Sequence, residues 1–288
     1  NGFGIQNPNR SRMTPYTGGL FAAYREKYGE DLCLPAVYYR RTGETENETA
    51  ARYIDVLDDL FTRNFAGKYA AWCKEHGIVF TGHILHEDSL SIQTSLSGSM
   101  MRFYEYMDFP GIDNLTAHNN CYPAVIQCAS AARQLGKPFV LSELYGCTGW
   151  DMPLSEFKRI GDWQASFGVN LRCPHLSWYT MEGEAKRDYP TSILHQNSWY
   201  KDWNGLETYF ARIGIVLSEG ERRADVLVIH PVERMWRLVR RGWMDVFDPK
   251  DGAVSAMDEA FRLQCERLIG SQREFDYGDE ELLQKHGS

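Results

Sequence analysis

Long apolar runs are missing from this 288-residue chain, and none approaches the ~20 residues that a membrane-spanning helix needs. A transmembrane segment is therefore not expected. Basic runs are missing too. The formal net charge is −8, and the arginines that do gather, Arg222-Arg223 and Arg234, Arg237, Arg240 and Arg241, read as solvated faces. A nucleic-acid groove is not expected, and a neutral substrate suits this balance better than a polyanion. The seven cysteines, Cys33, Cys73, Cys121, Cys128, Cys147, Cys173 and Cys265, are odd in number and lack CxxC spacing. That pattern fits reduced thiols rather than a disulfide framework. Cys147 has no activating base beside it in sequence and reads as a plain thiol. The opening NGFGIQNPNR has neither the charged leader nor the apolar core of a signal peptide, so a cytoplasmic protein is expected. It also lacks a starting Met, which leaves a processed or excised piece open. Internal repeats and low-complexity linkers are likewise missing.

What is present is an alternation of strand and helix patterns. With 43% hydrophobic and 24% charged residues, the chain has the composition of a globular protein large enough for one α/β domain or two smaller ones. Helices are expected over 18–28, 49–76, 94–107, 123–135, 157–167 and 206–217, several of them stopped by a glycine: Gly29, Gly77, Gly136 and Gly168. In the second, Tyr53, Val56, Leu57, Leu60, Phe61, Phe65, Tyr69 and Trp72 recur at helical spacing. Short strands are expected to end near Ile5, Gly82, Asp113, Ser142 and Cys173. Successive β-helix-β units imply a parallel sheet with right-handed crossovers. Five strands are too few for an eight-stranded barrel and suit its C-terminal half. The fold expected for residues 1–220 is thus α/β, a partial TIM-type β/α barrel. After Gly220, ADVLVIHP reads as the first strand of a second α/β unit over 221–288. An irregular Trp- and Arg-rich loop and a helix over 254–269 are expected to follow it.

The carboxyl ends of such strands are where ligands and catalytic groups collect. The stretch KPFVLSELYG runs from Lys137 to Gly146 and delivers Glu143 directly after the apolar run Phe139-Val140-Leu141. An isolated carboxylate there is costly to bury. It is either functional or held by an arginine such as Arg172. If the strands share a sheet, Asn7, His83, His86, Glu87, Asp113, Asn114, His118, Tyr145, His175, Trp178 and Tyr179 gather with it. Two carboxyl groups beside aromatic rings are what glycosidic cleavage requires, one to protonate the leaving oxygen and one to attack or to activate water. The rings of Trp178 and Tyr179 serve equally as core packing, and Asp113-Asn114 equally as an Asx turn. His83, His86 and Glu87 have the order H-x-x-H-E, not the H-E-x-x-H of zinc proteases. They read as substrate contacts before metal ligands. Residues 177–192 read as a long loop over the site.

The motifs TPYTGGLFAAYREKYGEDL, FTGHILHEDSLSIQ, MDFPGIDNL, KPFVLSELYGCTGWDM and HLSWYTMEGEAKRDYP together resemble large bacterial glycoside hydrolases of the α-L-rhamnosidase type, over most of residues 1–220. ADVLVIHPVERMW and FDYGDEELL resemble the glutamine-amidotransferase-like α/β domain that follows the barrel in such enzymes. The resemblance implies a TIM-type barrel acting on a carbohydrate, with Glu143 as one catalytic carboxylate and no required cofactor. In some members calcium lies near the bound sugar. Relatives tend to carry an Asp-Glu pair where this chain has Gln6-Asn7-Pro8. Asn7 therefore stands where the second carboxylate is expected, and an amide cannot transfer that proton. Glu87 is the substitute named here, with Asp113 as the other; a chain that binds sugar without cleaving it is the alternative. A metal-dependent hydrolase using His83, His86 and Glu87 is a third reading.

Overall fold

The computed structural model describes residues 14–39, 43–116, 120–184, 189–245 and 247–287. Helices α1 (Leu20–Tyr28) and α2 (Leu34–Tyr38) lead into α3 (Glu48–Phe61), which passes through a π-helical turn, Thr62–Ala66, into α4 (Gly67–Glu75). The Asn47 side chain caps α3 by accepting from Ala50 N, and its amide donates to the carbonyls of Ala36 and Val37. Such caps contribute about 1 kcal/mol each. The single helix expected over 94–107 is instead two, α5 (Leu90–Leu96) and α6 (Met100–Tyr104). Between them Gly98 takes a positive φ of 80°, and a Cβ there would meet Asp58 at 2.8 Å. The Asp58 carboxylate leaves no room for a side chain there and accepts from the Ser99 N–H at 3.3 Å.

Strand β1 (Gly111–Asp113), helix α7 (Tyr122–Gln134), strand β2 (Leu141–Leu144), helix α8 (Leu154–Ser166) and strand β3 (Leu171–Pro174) follow in order. The three strands form a parallel sheet in the order β1-β2-β3, with Asp113 opposite Glu143 and Glu143 opposite Cys173. The strand expected at Ile78-Val79-Phe80 is reduced to a single parallel bridge, Thr81 to Phe109. Ile78 and Val79 are half exposed, so burial does not hold them in a longer ladder. Val140, Ser142 and Leu144 are buried while Leu141 and Glu143 are only half-buried. The sheet is thus covered by helices on one face and more open on the face that carries Glu143.

Helix α9 (Trp203–Glu219) leads to β4 (Val226–Ile229). The stretch expected as an irregular loop contains helix α10 (Val232–Leu238), then a short antiparallel pair, β5 (Met244–Asp245) and β6 (Asp248–Pro249). Met235 and Trp236 bury against the core and make α10 a helix whose arginines face outward. Helix α11 (Gly252–Gly270), strand β7 (Phe275–Gly278) and helix α12 (Glu280–His286) complete the order. Strands β4 and β7 pair in parallel.

One apolar cluster runs through both stretches, from Leu20, Tyr53, Ile54 and Val125 to Trp236, Trp243, Phe275 and Tyr277. Each large side chain in it contributes roughly 1.5–3 kcal/mol. The polar glue is Arg102. It is buried, lies 4.8 Å over the Trp236 ring, and pairs with Asp55 and Asp279 at 3.1 Å and Glu281 at 2.8 Å, as well as with Glu233. A smaller cluster, Leu144, Tyr145, Met152, Phe157, Ile160, Leu206 and Phe210, anchors the carboxyl end of β2 between α8 and α9.

Candidate functional site

The strand register fixes the centre of the site. Residues directly opposite on neighbouring parallel strands project from the same face, so Asp113, Glu143 and Cys173 form a row across β1, β2 and β3. His83 joins them from the segment beside β1. One ligand atom each from His83, Asp113 and Glu143 lies within 4.8 Å of the other two. His83 Nε2 is 3.0 Å from Glu143 Oε2 and 3.9 Å from Asp113 Oδ2. On the other side of Glu143, His175 Nε2 is 3.8 Å from Oε1. Glu143 therefore sits between two imidazoles.

These contacts set the charges. Burial works against a charged His83, but the bonds to Glu143 and the Ile84 carbonyl, with Glu87 and Asp113 nearby, raise its pKa to about 9. The His83 bond in turn holds the Glu143 carboxyl below its ordinary value, against the opposing effect of partial burial. Asp113 moves the other way. Burial raises it, and the neighbouring Glu143 charge adds to that against the pull of His83, His175 and His86. Two adjacent carboxyl groups are thus pushed apart, one toward the ionised and one toward the protonated form.

Glu87, the expected partner of Glu143, stands elsewhere. Its side chain is buried, with Oε2 accepting from the Asp113 backbone N–H at 2.8 Å and Oε1 3.4 Å from the Tyr104 hydroxyl. Burial raises its pKa to about 8. The carboxyl group beside Glu143 on the open face is Asp113. His86 is not part of a metal-capable trio: its ring lies 4.1 Å from that of Phe247, tilted by 43°, and its φ is 59°. The metal-capable trio is His83, Asp113 and Glu143 rather than His83, His86 and Glu87. Calcium takes six to eight oxygen ligands. Among the described residues this trio offers two carboxylates and an imidazole that holds its proton against Glu143, which does not fit calcium.

Tyr145 is fully buried in the smaller cluster, where its hydroxyl accepts from Arg172 at 3.0 Å. Arg172 is committed to that hydroxyl and to Glu207 at 2.7 Å, so it is not the partner of Glu143. Asn114 is buried as well, and its backbone N–H donates to the Glu143 carbonyl. Trp178 is largely buried and meets the more exposed Trp150 edge-on at 5.6 Å. Tyr179 is fully exposed. Asn7 and His118 lie outside the described residues.

Two further residues lie beside the carboxyl end of β2 and Glu143. Gly146 lies so close to His175 that a Cβ would meet Nδ1 at 2.9 Å. The backbone on either side of it is in the left-handed region, with φ 83° at Tyr145 and 57° at Cys147. Such conformations cost about 1–3 kcal/mol each and gather at functional sites. The Gly in YGC was the available signal. Cys173, opposite Glu143, was legible only through the strand register.

No family model matches the chain. A curated protein of Formosa agariphila described as "Putative beta-glucuronidase" is 25% identical over 228 residues, covering 74% of this chain and 18% of that protein. The solved structure of a rhamnosidase from Novosphingobium sp. PP1Y matches with a TM-score of 0.67 at 18% identity, over 93% of this chain and 24% of that one. The chain spans about a fifth to a quarter of the length of these proteins. In fold, it is a mixed α/β chain resembling a rhamnosidase. No helix among the described residues is long and apolar enough to cross a membrane.

Proposed function

We propose that this chain carries the catalytic centre of a glycoside hydrolase, with Asp113 and Glu143 as its carboxyl pair and a neutral glycoside as substrate. The observation that carries this reading is the in-register pairing of the two residues at the ends of adjacent parallel strands, with carboxyl oxygens within 4.8 Å. Glycosidic cleavage needs one carboxyl group that keeps a proton and one that stays ionised. Asp113, raised by burial, protonates the leaving oxygen. Glu143, held ionised by His83, attacks the anomeric carbon. The short separation is nearer the ~5–5.5 Å of retaining enzymes than the ~6.5–9.5 Å of inverting ones. Asp113, then ionised, takes the proton of the water that releases the sugar. Tyr189, exposed and 5.8 Å from the His175 ring, offers a ring face to the sugar, and Trp150 and Tyr179 are exposed rings that follow β2 and β3 in sequence.

The same reading extends to architecture. The β1-β2-β3 order and the bridge at Thr81 support part of a TIM-type barrel, and the parallel β4–β7 pair supports the start of a second α/β unit after residue 220. The seven cysteines form no disulfide, which supports a reducing compartment. The binding-only reading rests on Asn7, and no observation among the described residues favours it.

The test is a panel of 4-nitrophenyl glycosides offered to the protein that contains this chain, with the first-formed sugar followed by proton NMR. The α-L-rhamnoside is expected to be cleaved with retention. Cleavage of the β-D-glucuronide instead would replace the substrate assignment. An inverted product would remove Glu143 as nucleophile, and an inert panel would sink the hydrolase reading.

A further inference from the structure

The segment beside β1 leaves the sheet early. It bridges Phe109 at Thr81, and the Gly82 carbonyl approaches Gly111 so closely that a Cβ on Gly111 would meet it at 2.3 Å. Beyond Gly82 (φ 148°) the chain turns away through His83 and Ile84. Two residues further along β1, the Asp113 N–H therefore faces a place where a neighbouring strand would have put a carbonyl. A backbone N–H left unmatched there would cost the sheet a bond. The side chain of Glu87 fills the gap, its Oε2 accepting that N–H at 2.8 Å. On the opposite side of β1, Asn114 N–H donates to the Glu143 carbonyl at 3.1 Å. The end of β1 is thus pinned on one edge by a side chain and on the other by β2.

We infer that Glu87 is a positioning residue: its buried carboxyl stands in for a missing strand carbonyl, fixing the end of β1 so that Asp113 is presented to Glu143 and His83. This inference deepens the proposed function and rests on it for the role of Asp113. Glu87 itself is buried and touches the Asp113 backbone and Tyr104, so it acts through Asp113 and not on substrate. The function needs an acceptor oxygen at that point and nothing more. Glutamine supplies one with the same reach; aspartate falls one methylene short; alanine supplies none.

Three variants test this, Glu87→Gln, Glu87→Asp and Glu87→Ala, by two readouts. Amide hydrogen exchange at Asp113 reports the pin without any substrate. The second readout is kcat on whichever glycoside the wild type cleaves. Glu87→Gln is expected to keep Asp113 protection and kcat within about threefold, because one neutral acceptor replaces another. Glu87→Asp is expected to speed exchange at Asp113 by about tenfold or more and lower kcat with little change in KM, and Glu87→Ala to do so further. If Glu87→Gln loses the ~10²–10⁴-fold typical of a lost acid or base while Asp113 stays protected, Glu87 is catalytic and the inference is overturned. If Glu87→Asp leaves exchange and kcat unchanged, there is no pin. Should the wild type cleave nothing, the hydrolase reading fails by itself, and the exchange result still decides the role of Glu87.

Discussion

His83 Nε2 lies 3.0 Å from Glu143 Oε2, and this contact is the largest influence favouring the charged form of each side chain. Against the cost of burial, Glu143 with the Ile84 carbonyl and the nearby acids pushes His83 up to about 9, and the His83 bond holds Glu143 below its ordinary value. The pair's effect on stability follows by linkage. A raised His83 contributes stability that is complete below about pH 6.5 and is lost as pH rises through about 9. A lowered Glu143 contributes stability present above its ordinary value of 4.5 and lost as pH falls through its folded value. Thermal unfolding followed against pH should therefore show an alkaline decline between about 6.5 and 9 that His83→Gln flattens. An unchanged alkaline limb in that variant would contradict the ion pair.

Glu87 carries the opposite lesson. Burial pushes its folded pKa to about 8, above the ordinary 4.5, so the folded protein holds a proton that the unfolded chain releases. That group's contribution is complete below about 4.5 and is lost as pH rises toward 8. Glu87→Gln never ionises. It should match or exceed the wild-type melting temperature at pH 8 and gain on it steadily from pH 5 upward. A variant that loses stability more steeply than the wild type over that range would show that Glu87 is ionised in the fold.

Gly146→Ala should disable the site while leaving the fold in place. The added methyl would sit 2.9 Å from His175 Nδ1, so the ring must shift from its place beside Glu143. A fall in kcat of about tenfold with an unchanged circular dichroism spectrum is expected. Full activity would mean that His175 has no part in holding Glu143.

Arg102→Met tests what joins the two ends of the chain. The guanidinium faces Asp55, Asp58, Glu233, Asp279 and Glu281, and Asp58 and Asp279 are buried. Removing it strands those acids, and losses from breaking a buried pair run to about 3–5 kcal/mol. Chemical denaturation should read a loss of that size at neutral pH, partly relieved on acidification as the carboxylates take up protons. A loss under about 1 kcal/mol would mean that the network is not a joint.

Much of this organisation was legible in the sequence because local signals agreed with the tertiary ones. Gly29, Gly77, Gly136 and Gly168 all end their helices with positive φ, and glycine is the residue that adopts that conformation without strain. Strands β2 and β3 formed where short apolar runs followed Gly136 and Gly168. The misses arose where a distant side chain decided the outcome. Asp58, some forty residues away, packs against Gly98 and accepts from the Ser99 N–H at the break between α5 and α6; the core that receives Met235 and Trp236 turns an Arg-rich stretch into α10. At the site, Glu143 was readable from one strand end, but its partner was not. Whether Glu87 or Asp113 faces Glu143 depends on strand register and on which carboxyl is buried. Neither has a local trace in sequence.

The central claim is that Asp113 and Glu143 act together on a glycosidic bond. Its most direct measurement is the turnover of an aryl α-L-rhamnoside by wild type, Asp113→Asn and Glu143→Gln in parallel. Each variant is expected to lose ~10²–10⁴-fold in kcat with KM little changed, the mark of groups that act in the transition state. Wild-type turnover in both variants would contradict it.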